Sequence, residues 1–223
     1  MNNIPIKNST KGKKRGFLVC KRVFDIAFSS CFILCFFPLY LLLAIVVKTT
    51  SKGPIFYVGK RLGKERKHIK IYKFRSMFVD AEKQLNTLIK TNPKIKKEWE
   101  VYQKIRSDPR CTWIGNIMRK TSLDELPQFF SVLKGDLSVV GPRPHYISEL
   151  EKPETSPLKQ YASQIFTVKP GITSIWQISG RSSLSYEERV KLDCKYVAKQ
   201  SLIYDLYLII KTIPSVFLSN GAY

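Results

Sequence analysis

The sequence predicts an α+β fold that is mostly helical, and three observations lead to this prediction. Two strand-like stretches, 54–62 and 68–74, flank a short turn and predict a β-hairpin. Helix-like stretches occupy much of the remaining chain. An uncharged run at 26–47 is long enough to enter a bilayer. We therefore expect a monotopic membrane protein with a re-entrant helix–break–helix hairpin, a small β-hairpin and interfacial amphipathic helices.

The uncharged run begins at Ile26 and ends at Val47, between Asp25 and Lys48. A straight helix over this run would be about 33 Å long, which is enough to cross the core of a bilayer. Pro38 lies near its middle and interrupts the hydrogen bonds of a helix. The flanks are basic on both sides, and basic residues mark the cytosolic side of a membrane. A re-entrant hairpin that breaks at Pro38 agrees with both flanks, and a single span kinked at Pro38 remains the alternative.

These features divide the chain into three parts. Residues 1–22 form a basic N-terminal segment, residues 23–50 form the re-entrant membrane hairpin, and residues 51–223 form a cytosolic domain that lies on the membrane. A domain of this length can bury a hydrophobic core of its own.

The first half of the cytosolic domain combines a hairpin with a helical pair. The strands Pro54–Leu62 and His68–Phe74 are joined around Gly63-Lys64-Glu65. The charged stretch 80–107 has helical character and is interrupted at Pro93, which predicts two solvated helices.

The second half ends in two helix-like stretches. Lys169-Pro170-Gly171 opens a turn before 172–178. Ser185–Gln200 has the pattern of an amphipathic helix. The stretch 201–213 is aromatic and aliphatic, and an interfacial helix and a core helix explain it equally well.

The composition restricts the partners. The chain has 38 Lys and Arg residues against 17 Asp and Glu residues, a formal net charge of +21. Such a charge attracts nucleic acids, anionic membranes or phosphorylated substrates. The sequence contains no signature of a nucleic-acid-binding module, no P-loop and no G-x-G-x-x-G motif. We therefore expect a membrane and a phosphorylated partner, and no nucleic acid.

The cysteines and histidines exclude further classes of site. The five cysteines are odd in number and include no C-x-x-C pair, which argues against a disulfide scaffold and a zinc site. His68 and His145 are the only histidines, so a zinc site of several histidines is excluded and a histidine-based triad is disfavoured.

The stretch 120–144 carries the most informative chemistry. Its adjacent acids, Asp124 and Glu125, could hold a metal ion or attack phosphorus. Ser122 and Glu125 also fit a capping box at the start of a helix. Pro127 argues against this box, because in the fifth helical position it would remove a hydrogen bond. A helix that starts at Pro127 instead leaves both acids just before its N-terminus, where the dipole favours anions and bound phosphate.

A stiff loop, Gly141-Pro142-Arg143-Pro144, closes this stretch. Arg143 is confined to extended backbone by Pro144, and Pro142 fixes its approach. A guanidinium held in this way suits bidentate recognition of phosphate. The alternative is an ordinary proline-stiffened turn with a solvated arginine. Lys73 and Arg75, at the end of the second predicted strand, are basic side chains that could meet phosphate as well.

Seven motifs in order resemble the bacterial polyprenyl-phosphate sugar-1-phosphate transferases, the monotopic phosphoglycosyl transferases that start glycoconjugate assembly. The resemblance covers nearly the whole chain after residue 20. Ser174 departs from the family, which usually has glycine there. The motifs are KRVFDIAFS at 21–29, GPIFYVGKRLG at 53–63, YKFRSM at 72–77, RKTSLDELPQ, LKGDLSVVGPRP, KPGIT at 169–173 and WQISGR at 176–181.

The resemblance implies that the domain 51–223 is catalytic and works in two steps. A UDP-sugar gives its sugar-1-phosphate to undecaprenyl phosphate and releases UMP. Asp124 would attack the sugar-bearing phosphorus and form a covalent phosphosugar intermediate, and Glu125 would help Asp124 to hold Mg²⁺. The expected place is the cytosolic face of the bacterial inner membrane. The candidates for substrate contacts are Lys73, Arg75, Arg119, Arg143 and Arg181.

Two alternatives stay open at this point, along with the identity of the sugar. The lipid phosphate could attack directly while both acids only bind metal, or the chain could be a non-enzymatic basic membrane adaptor. Local similarity at Ser179–Val197 and at the C-terminal end favours galactose-1-phosphate over glucose-1-phosphate, with an N-acetylated sugar third. A homodimer is compatible with all of these readings.

Overall fold

The computed structural model of the protein describes residues 11–102, 105–151, 156–180 and 184–217. Helices make up 63% of it, and the described strands form two small sheets of two strands each. The predicted α+β fold dominated by helices is therefore confirmed.

Two helices begin the fold, α1 (Lys11–Cys35) and α2 (Phe37–Thr50). They meet at a bend of 65°. Within the described ranges no single helix is long and apolar enough to cross a membrane, whereas α1 and α2 meet this criterion together from Arg15 to Thr50. The predicted helix–break–helix arrangement is confirmed.

The break lies two residues before the predicted position. Phe36 separates the helices, and Pro38 belongs to the first turn of α2. Pro38 has no N–H to bond to the carbonyl of Leu34, so the first helix ends ahead of the proline. A bend of 65° leaves an angle of about 115° between the arms. The segment is therefore a wide elbow, and its arms do not fold back on each other as a hairpin would require.

The β-hairpin is confirmed, with β1 (Phe56–Leu62) and β2 (His68–Phe74) paired in antiparallel register. Its turn is centred on Glu65 and Arg66, one residue later than predicted, and both residues have positive φ, of 57° and 58°. Positive φ at both central residues is the pattern of a type I′ turn, which matches the twist of a hairpin. The conformation is strained for residues that carry a Cβ.

Arg75 follows β2 and fastens the end of α2. It is 5% exposed, and its guanidinium donates to the carbonyl oxygens of Ser51 (2.6 Å), Lys52 (2.8 Å) and Val47 (3.3 Å). Carbonyls at a helix C-terminus lack partners within the helix, and Arg75 supplies them. Gly53 has φ +127°, and a Cβ there would lie 1.9 Å from an Arg75 nitrogen, so this contact depends on glycine.

Four helices lead from the hairpin to the second sheet. The first two are separated at Asn92, so the predicted helical pair broken at Pro93 is confirmed. No side chain described in the first of them is buried. The four are α3 (Ala81–Thr91), α4 (Pro93–Tyr102), α5 (Trp113–Thr121) and α6 (Gln128–Lys134).

The second sheet was not predicted. It is a short parallel pair of β3 (Ser138–Val140) and β4 (Gly171–Thr173). The N–H of Gly141 donates to the carbonyl of Thr173 at 3.0 Å. A Cβ on Gly171 would lie 2.0 Å from the Gly141 nitrogen, so the two backbones meet this closely only with glycine. The pair fixes the start of the loop 141–144.

The remaining helices build the C-terminal half. Ser185 accepts a hydrogen bond from the N–H of Glu188 and caps the third of them, which confirms the predicted amphipathic helix. The last helix packs into the core through Leu208, which is fully buried, while Ile203 on the same helix is 82% exposed. The helices are α7 (Pro157–Ile165), α8 (Ile175–Ile178), α9 (Tyr186–Lys199) and α10 (Leu202–Phe217).

A buried ion pair attaches α1 to the domain. Lys21 Nζ donates to Asp205 Oδ2 at 2.6 Å and to the carbonyl of Val140 at 3.0 Å. The hydroxyl of Tyr196 lies 2.8 Å from Asp205 Oδ1 and 3.1 Å from the same carbonyl. α1 crosses the expected boundary between residues 22 and 23 without interruption, so residues on both sides of that boundary belong to one helix.

We expect Lys21→Met to lower the free energy of unfolding by about 3–5 kcal/mol, because it leaves the Asp205 carboxylate buried without its counter-charge. Denaturant unfolding of the detergent-solubilised protein measures this change. Lys191→Met is the matched control, because it removes an exposed lysine paired with Glu187 and should leave the unfolding free energy nearly unchanged.

The double variant Lys21→Met/Asp205→Asn should recover part of the loss, since it buries no unpaired charge. Equal stability of Lys21→Met and Lys191→Met would contradict the role given to this pair.

Candidate active site

The acid pair lies on one 3₁₀ turn, Leu123–Glu125, between α5 and α6. Helix α5 is capped by Thr112, whose hydroxyl accepts from the N–H of Gly115 at 3.0 Å. It ends at Ser122 in the left-handed conformation, with φ 57°, and Ser122 makes no side-chain capping bond to the turn. The capping box considered from the sequence is therefore not formed. Helix α6 begins directly after Pro127, so both acids precede it as predicted.

Lys73 on β2 joins the acid pair. Its Nζ donates to Glu125 Oε1 at 2.5 Å. Alternation along β2 places Lys73 on the same face as the buried Ile69 and Ile71. Asp124 is 7% exposed, whereas the side chain of Glu125 is 31% exposed. The two adjacent carboxylates therefore sit in different environments.

Electrostatics separates the roles of these groups. Burial raises the pKa of Asp124 to about 6, against the opposing charge of Lys73. Burial alone would lower the pKa of Lys73, but the charges of Glu125 and Asp124 outweigh it and raise the pKa above its ordinary value. Lys73 is therefore a cation at neutral pH, and Asp124 is ionised above about pH 6. An ionised carboxylate that is poorly solvated is well suited to nucleophilic attack.

Arg119 on α5 adds a second cation. Its Nη1 lies 2.9 Å from Cys111 Sγ and 3.7 Å from Asp108 Oδ2, and its charge acts on Asp124. Arg110 holds Asp108 with two hydrogen bonds, of 2.6 Å and 2.8 Å. Because Arg110 already neutralises Asp108, the charge of Arg119 can serve an anion beside Asp124.

The loop 141–144 docks on α9 and lies beside an aromatic ring. The N–H of Arg143 donates to Asp193 Oδ1 at 3.0 Å, which docks the loop on α9. The guanidinium carbon of Arg143 lies 5.9 Å from the centre of the Tyr146 ring, and that of Arg61 lies 3.5 Å from the same centre. Both arginines thus make cation–π contacts. Tyr146 is also among the groups that raise the pKa of Lys73.

The predicted site residues fall into three groups. Lys73 and Arg119 lie with Asp124 and Glu125, and Arg143 lies beside the Tyr146 ring on the loop 141–144. Arg75 is elsewhere, because its guanidinium is bound to the carbonyls at the end of α2. This placement does not support the predicted phosphate contact from Arg75. Arg181 lies outside the described residues.

Three residues of this region were not predicted from the sequence. Tyr40 on α2 donates to the carbonyl of Leu126 at 2.7 Å and ties the elbow to the turn that carries the acids. Arg61 and Tyr146 stack as described above. Arg61 stands within GKRLG, so that motif could have suggested it. No sequence pattern indicates Tyr40 or Tyr146, because their contacts join segments that are distant in the sequence.

Magnesium would meet oxygen ligands from Asp124 and Glu125. In the part of the chain that the structure describes, no group of three or more His, Cys, Asp and Glu side chains could hold a metal ion. Magnesium commonly binds one or two carboxylates together with substrate phosphates and keeps several waters. The carboxylate pair fits this mode of binding.

An open depression of about 420 Å³ lies away from these acids, between the tip of the β-hairpin and α7. Lys64, Arg66, Ala162 and Phe166 line it. It contains neither acid of the pair and none of the candidate phosphate ligands, so the acid pair with its cations is the better candidate for a reactive site.

Comparison with known proteins gives relatives along nearly the whole chain. The chain is 41% identical to the exopolysaccharide production protein ExoY of Rhizobium meliloti, over 92% of this chain and 88% of that protein. It is 40% identical to the undecaprenyl-phosphate galactose phosphotransferase of Salmonella typhimurium, over 98% of this chain and 44% of that protein. It is 37% identical to the UDP-glucose:undecaprenyl-phosphate glucose-1-phosphate transferase of Klebsiella pneumoniae, over 100% of this chain and 46% of that protein.

The chain thus spans most of the ExoY protein but less than half the length of the galactose and glucose relatives. A model of the family described as bacterial sugar transferase matches residues 17–219, which include both acids and all the cations discussed above. The chain therefore belongs to the bacterial sugar transferase family.

Proposed function

We propose that this enzyme transfers sugar-1-phosphate from a UDP-sugar to undecaprenyl phosphate and releases UMP, with Asp124 as the nucleophile. Membership of the family makes the chain a sugar-phosphate transferase. The observation that supports the mechanism best is the buried carboxylate of Asp124, set among the charges of Lys73, Glu125 and Arg119. That combination supports a nucleophilic role for Asp124 beside cations that can bind a phosphorylated substrate.

The reaction has two displacements. In the first, a carboxylate oxygen of Asp124 forms a bond to the phosphorus that carries the sugar, and the bond from this phosphorus to the oxygen of UMP breaks. In the second, a phosphate oxygen of the lipid attacks the same phosphorus, and the bond to Asp124 breaks to restore the carboxylate. Lys73 and Arg119 stabilise the negative charge on the phosphoryl oxygens in both steps.

Asp124 and Glu125 are the proposed ligands of Mg²⁺. When bound, the ion supplies neutralisation of the charge on the diphosphate. Glu125 also keeps Lys73 beside the reacting group through their ion pair, and the Lys73 charge favours the ionised form of Asp124.

The elbow of α1 and α2 is the proposed membrane anchor, on the cytosolic face of the bacterial inner membrane. Its apolar side chains point outward, with Leu34 75% and Phe37 60% exposed. The uncharged part of each arm is about 15 Å long, whereas the hydrocarbon core of a bilayer is about 30 Å thick. Two arms that meet at a wide angle therefore enter one leaflet without crossing the bilayer. The hydrogen bond from Tyr40 to the carbonyl of Leu126 ties this anchor to the turn of the acid pair. It supports a site that a soluble nucleotide sugar and a lipid phosphate can both reach.

Galactose-1-phosphate is the proposed cargo, with glucose-1-phosphate second and an N-acetylated sugar third. Relatives named for galactose and for glucose occur at similar identity, and the two sugars differ in the orientation of one hydroxyl. The test is release of UMP from a panel of UDP-sugars in the presence of undecaprenyl phosphate. No UMP from any donor would leave the adaptor alternative standing, and activity confined to N-acetylated donors would refute the choice of sugar while the reaction class stood.

Asp124→Asn is expected to abolish transfer, because an amide cannot act as the nucleophile. Intact-mass analysis of the wild-type protein with UDP-sugar alone should show one added sugar phosphate, and the variant should show none. Asn116→Asp is a suitable control, since it changes an exposed side chain of α5 and should keep the adduct. Substantial turnover by Asp124→Asn would instead favour direct attack by the lipid phosphate.

Glu125→Gln is expected to lower kcat by about 100-fold or more, because it removes both a metal ligand and the partner of Lys73. Raised Mg²⁺ should restore part of the rate, since weaker metal binding can be offset by concentration. Titration of activity with Mg²⁺ measures this. Identical magnesium dependence of the variant and the wild type would contradict a role of Glu125 in holding the metal.

The membrane elbow is expected to leave both ends of the chain on the cytosolic side. In a background without the exposed native cysteines, Thr10→Cys and Lys97→Cys in α4 should both resist an impermeant maleimide added outside intact cells. Pro38→Ala should straighten the elbow toward a span, because it restores a donor for the carbonyl of Leu34. Outside labelling of Thr10→Cys but not of Lys97→Cys, in the same background and with Pro38 in place, would show a single span.

A further inference from the structure

The described part of the chain holds Arg119 through one nitrogen of its guanidinium. Nη1 donates to Cys111 Sγ at 2.9 Å and lies 3.7 Å from Asp108 Oδ2. Nε and Nη2 make no hydrogen bond to a described residue, and the side chain is 20% exposed. These two nitrogens form the fork with which a guanidinium binds two oxygens of one phosphate. The protein therefore fixes one corner of the group and leaves the fork to a ligand.

The two partners hold Arg119 without cancelling its charge. Asp108 is buried and already binds Arg110, which donates from Nε at 2.8 Å and from Nη2 at 2.6 Å. The N–H of Arg110 also donates to Asp108 Oδ1 at 3.1 Å. Burial raises the pKa of the Cys111 thiol, so the sulfur keeps its proton at neutral pH. A neutral sulfur, which is a weak acceptor, and a carboxylate with its own counter-charge orient a guanidinium but do not neutralise it.

The segment that carries both partners is fastened to the strand that carries Lys73. Beyond the end of β2, Met77 and Cys111 form an antiparallel bridge. The N–H of Thr112, the cap of α5, donates to the carbonyl of Ser76 at 3.1 Å. This backbone pairing therefore fixes the groups that hold one cation of the site relative to the strand that bears the other.

We propose that Asp108 and Cys111 are positioning residues, which aim the fork of Arg119 at the phosphoryl group that Asp124 attacks. The inference rests on the proposed function and extends it to the groups behind the cations. Arg119 lies in the last turn of α5, and its carbonyl accepts from the N–H of Ser122, where the turn of the acid pair begins. A guanidinium that is oriented before the substrate arrives loses less conformational entropy on binding than a mobile one.

Cys111 separates this role from a purely structural one. The pair of Asp108 and Arg110 could by itself clamp the start of α5, because Arg110 occupies both carboxylate oxygens. The sulfur of Cys111 takes no part in the hydrogen bonds of that clamp and contacts Arg119 instead. A variant of Cys111 therefore leaves the clamp in place and removes only a partner of Arg119.

Calorimetric titration of the detergent-solubilised protein with UDP and Mg²⁺ tests the inference without turnover, since the terminal phosphate of UDP stands for the group that Asp124 attacks. Arg119→Met should weaken UDP binding by about 10- to 100-fold, because it removes charge-assisted hydrogen bonds. Cys111→Ala should weaken it by about 3- to 10-fold, because Nη1 loses its partner. In the Arg119→Met background, Cys111→Ala should cause no further loss, since it acts only through that arginine.

Two further cysteine variants control for the loss of a buried thiol. Cys194→Ala is the matched control, because Cys194 is also buried but lies in the core cluster around Leu158 and Val190. It should bind UDP like the wild type. Cys111→Ser keeps an acceptor at the position and should retain most of the affinity that Cys111→Ala loses.

Steady-state kinetics extends the test to Asp108. Asp108→Asn frees Arg119 from one partner and should lower kcat by about 10-fold, because the fork no longer meets the charge that develops on the phosphoryl oxygens. It should lower kcat no further in the Arg119→Met background. If Asp108→Asn does not fold because Arg110 loses its counter-charge, the Cys111 variants carry the test.

An equal loss of UDP affinity from Cys111→Ala with and without Arg119 would overturn the proposal, because the loss would then be structural. Wild-type affinity in Cys111→Ala would overturn it as well. The proposed function fails separately, if the UDP titrations give the expected losses but the wild type releases no UMP from any UDP-sugar.

Discussion

Lys21 reaches from α1 to the carboxylate of Asp205 on α10 and to the carbonyl of Val140 on β3, and this contact sets how these three elements lie relative to one another. Val140 is the last residue of β3, and the loop that carries Arg143 begins at the next residue. The same lysine side chain therefore fixes the elbow, the last helix and the start of that loop relative to one another. Because the ion pair is buried, it holds only in one arrangement of these elements, and a shift would leave a charge without its partner.

The site itself follows from how charge is distributed around a short turn. Asp124 is buried and Glu125 is not, although they are neighbours in the chain. The buried acid loses solvation and the exposed one binds Lys73, so each takes a role that the other could not fill. The cations come from α5 and β2. In the proposed transfer, they would stabilise the phosphoryl group that Asp124 attacks.

Local patterns predicted the local parts of this structure. Alternation fixed the face of β2 that carries Lys73, and Ser185 marked the start of α9. The parallel pair of β3 and β4 was not predictable, because each strand has three residues and the partners lie far apart in the sequence. Arg75 has the same motif context as Lys73, yet it binds helix carbonyls. The sequence identifies such a residue as basic, but only the folded backbone shows which way it turns.

The 3₁₀ turn Leu123–Glu125 also limits how this region can evolve. Successive residues of such a turn point about 120° apart, so one side chain can face the interior while the next faces the entering substrate. One inserted or deleted residue would rotate Asp124 and Glu125 into each other's directions. We therefore expect the segment between α5 and α6 to accept no change of length, whereas loops at the surface accept insertions readily.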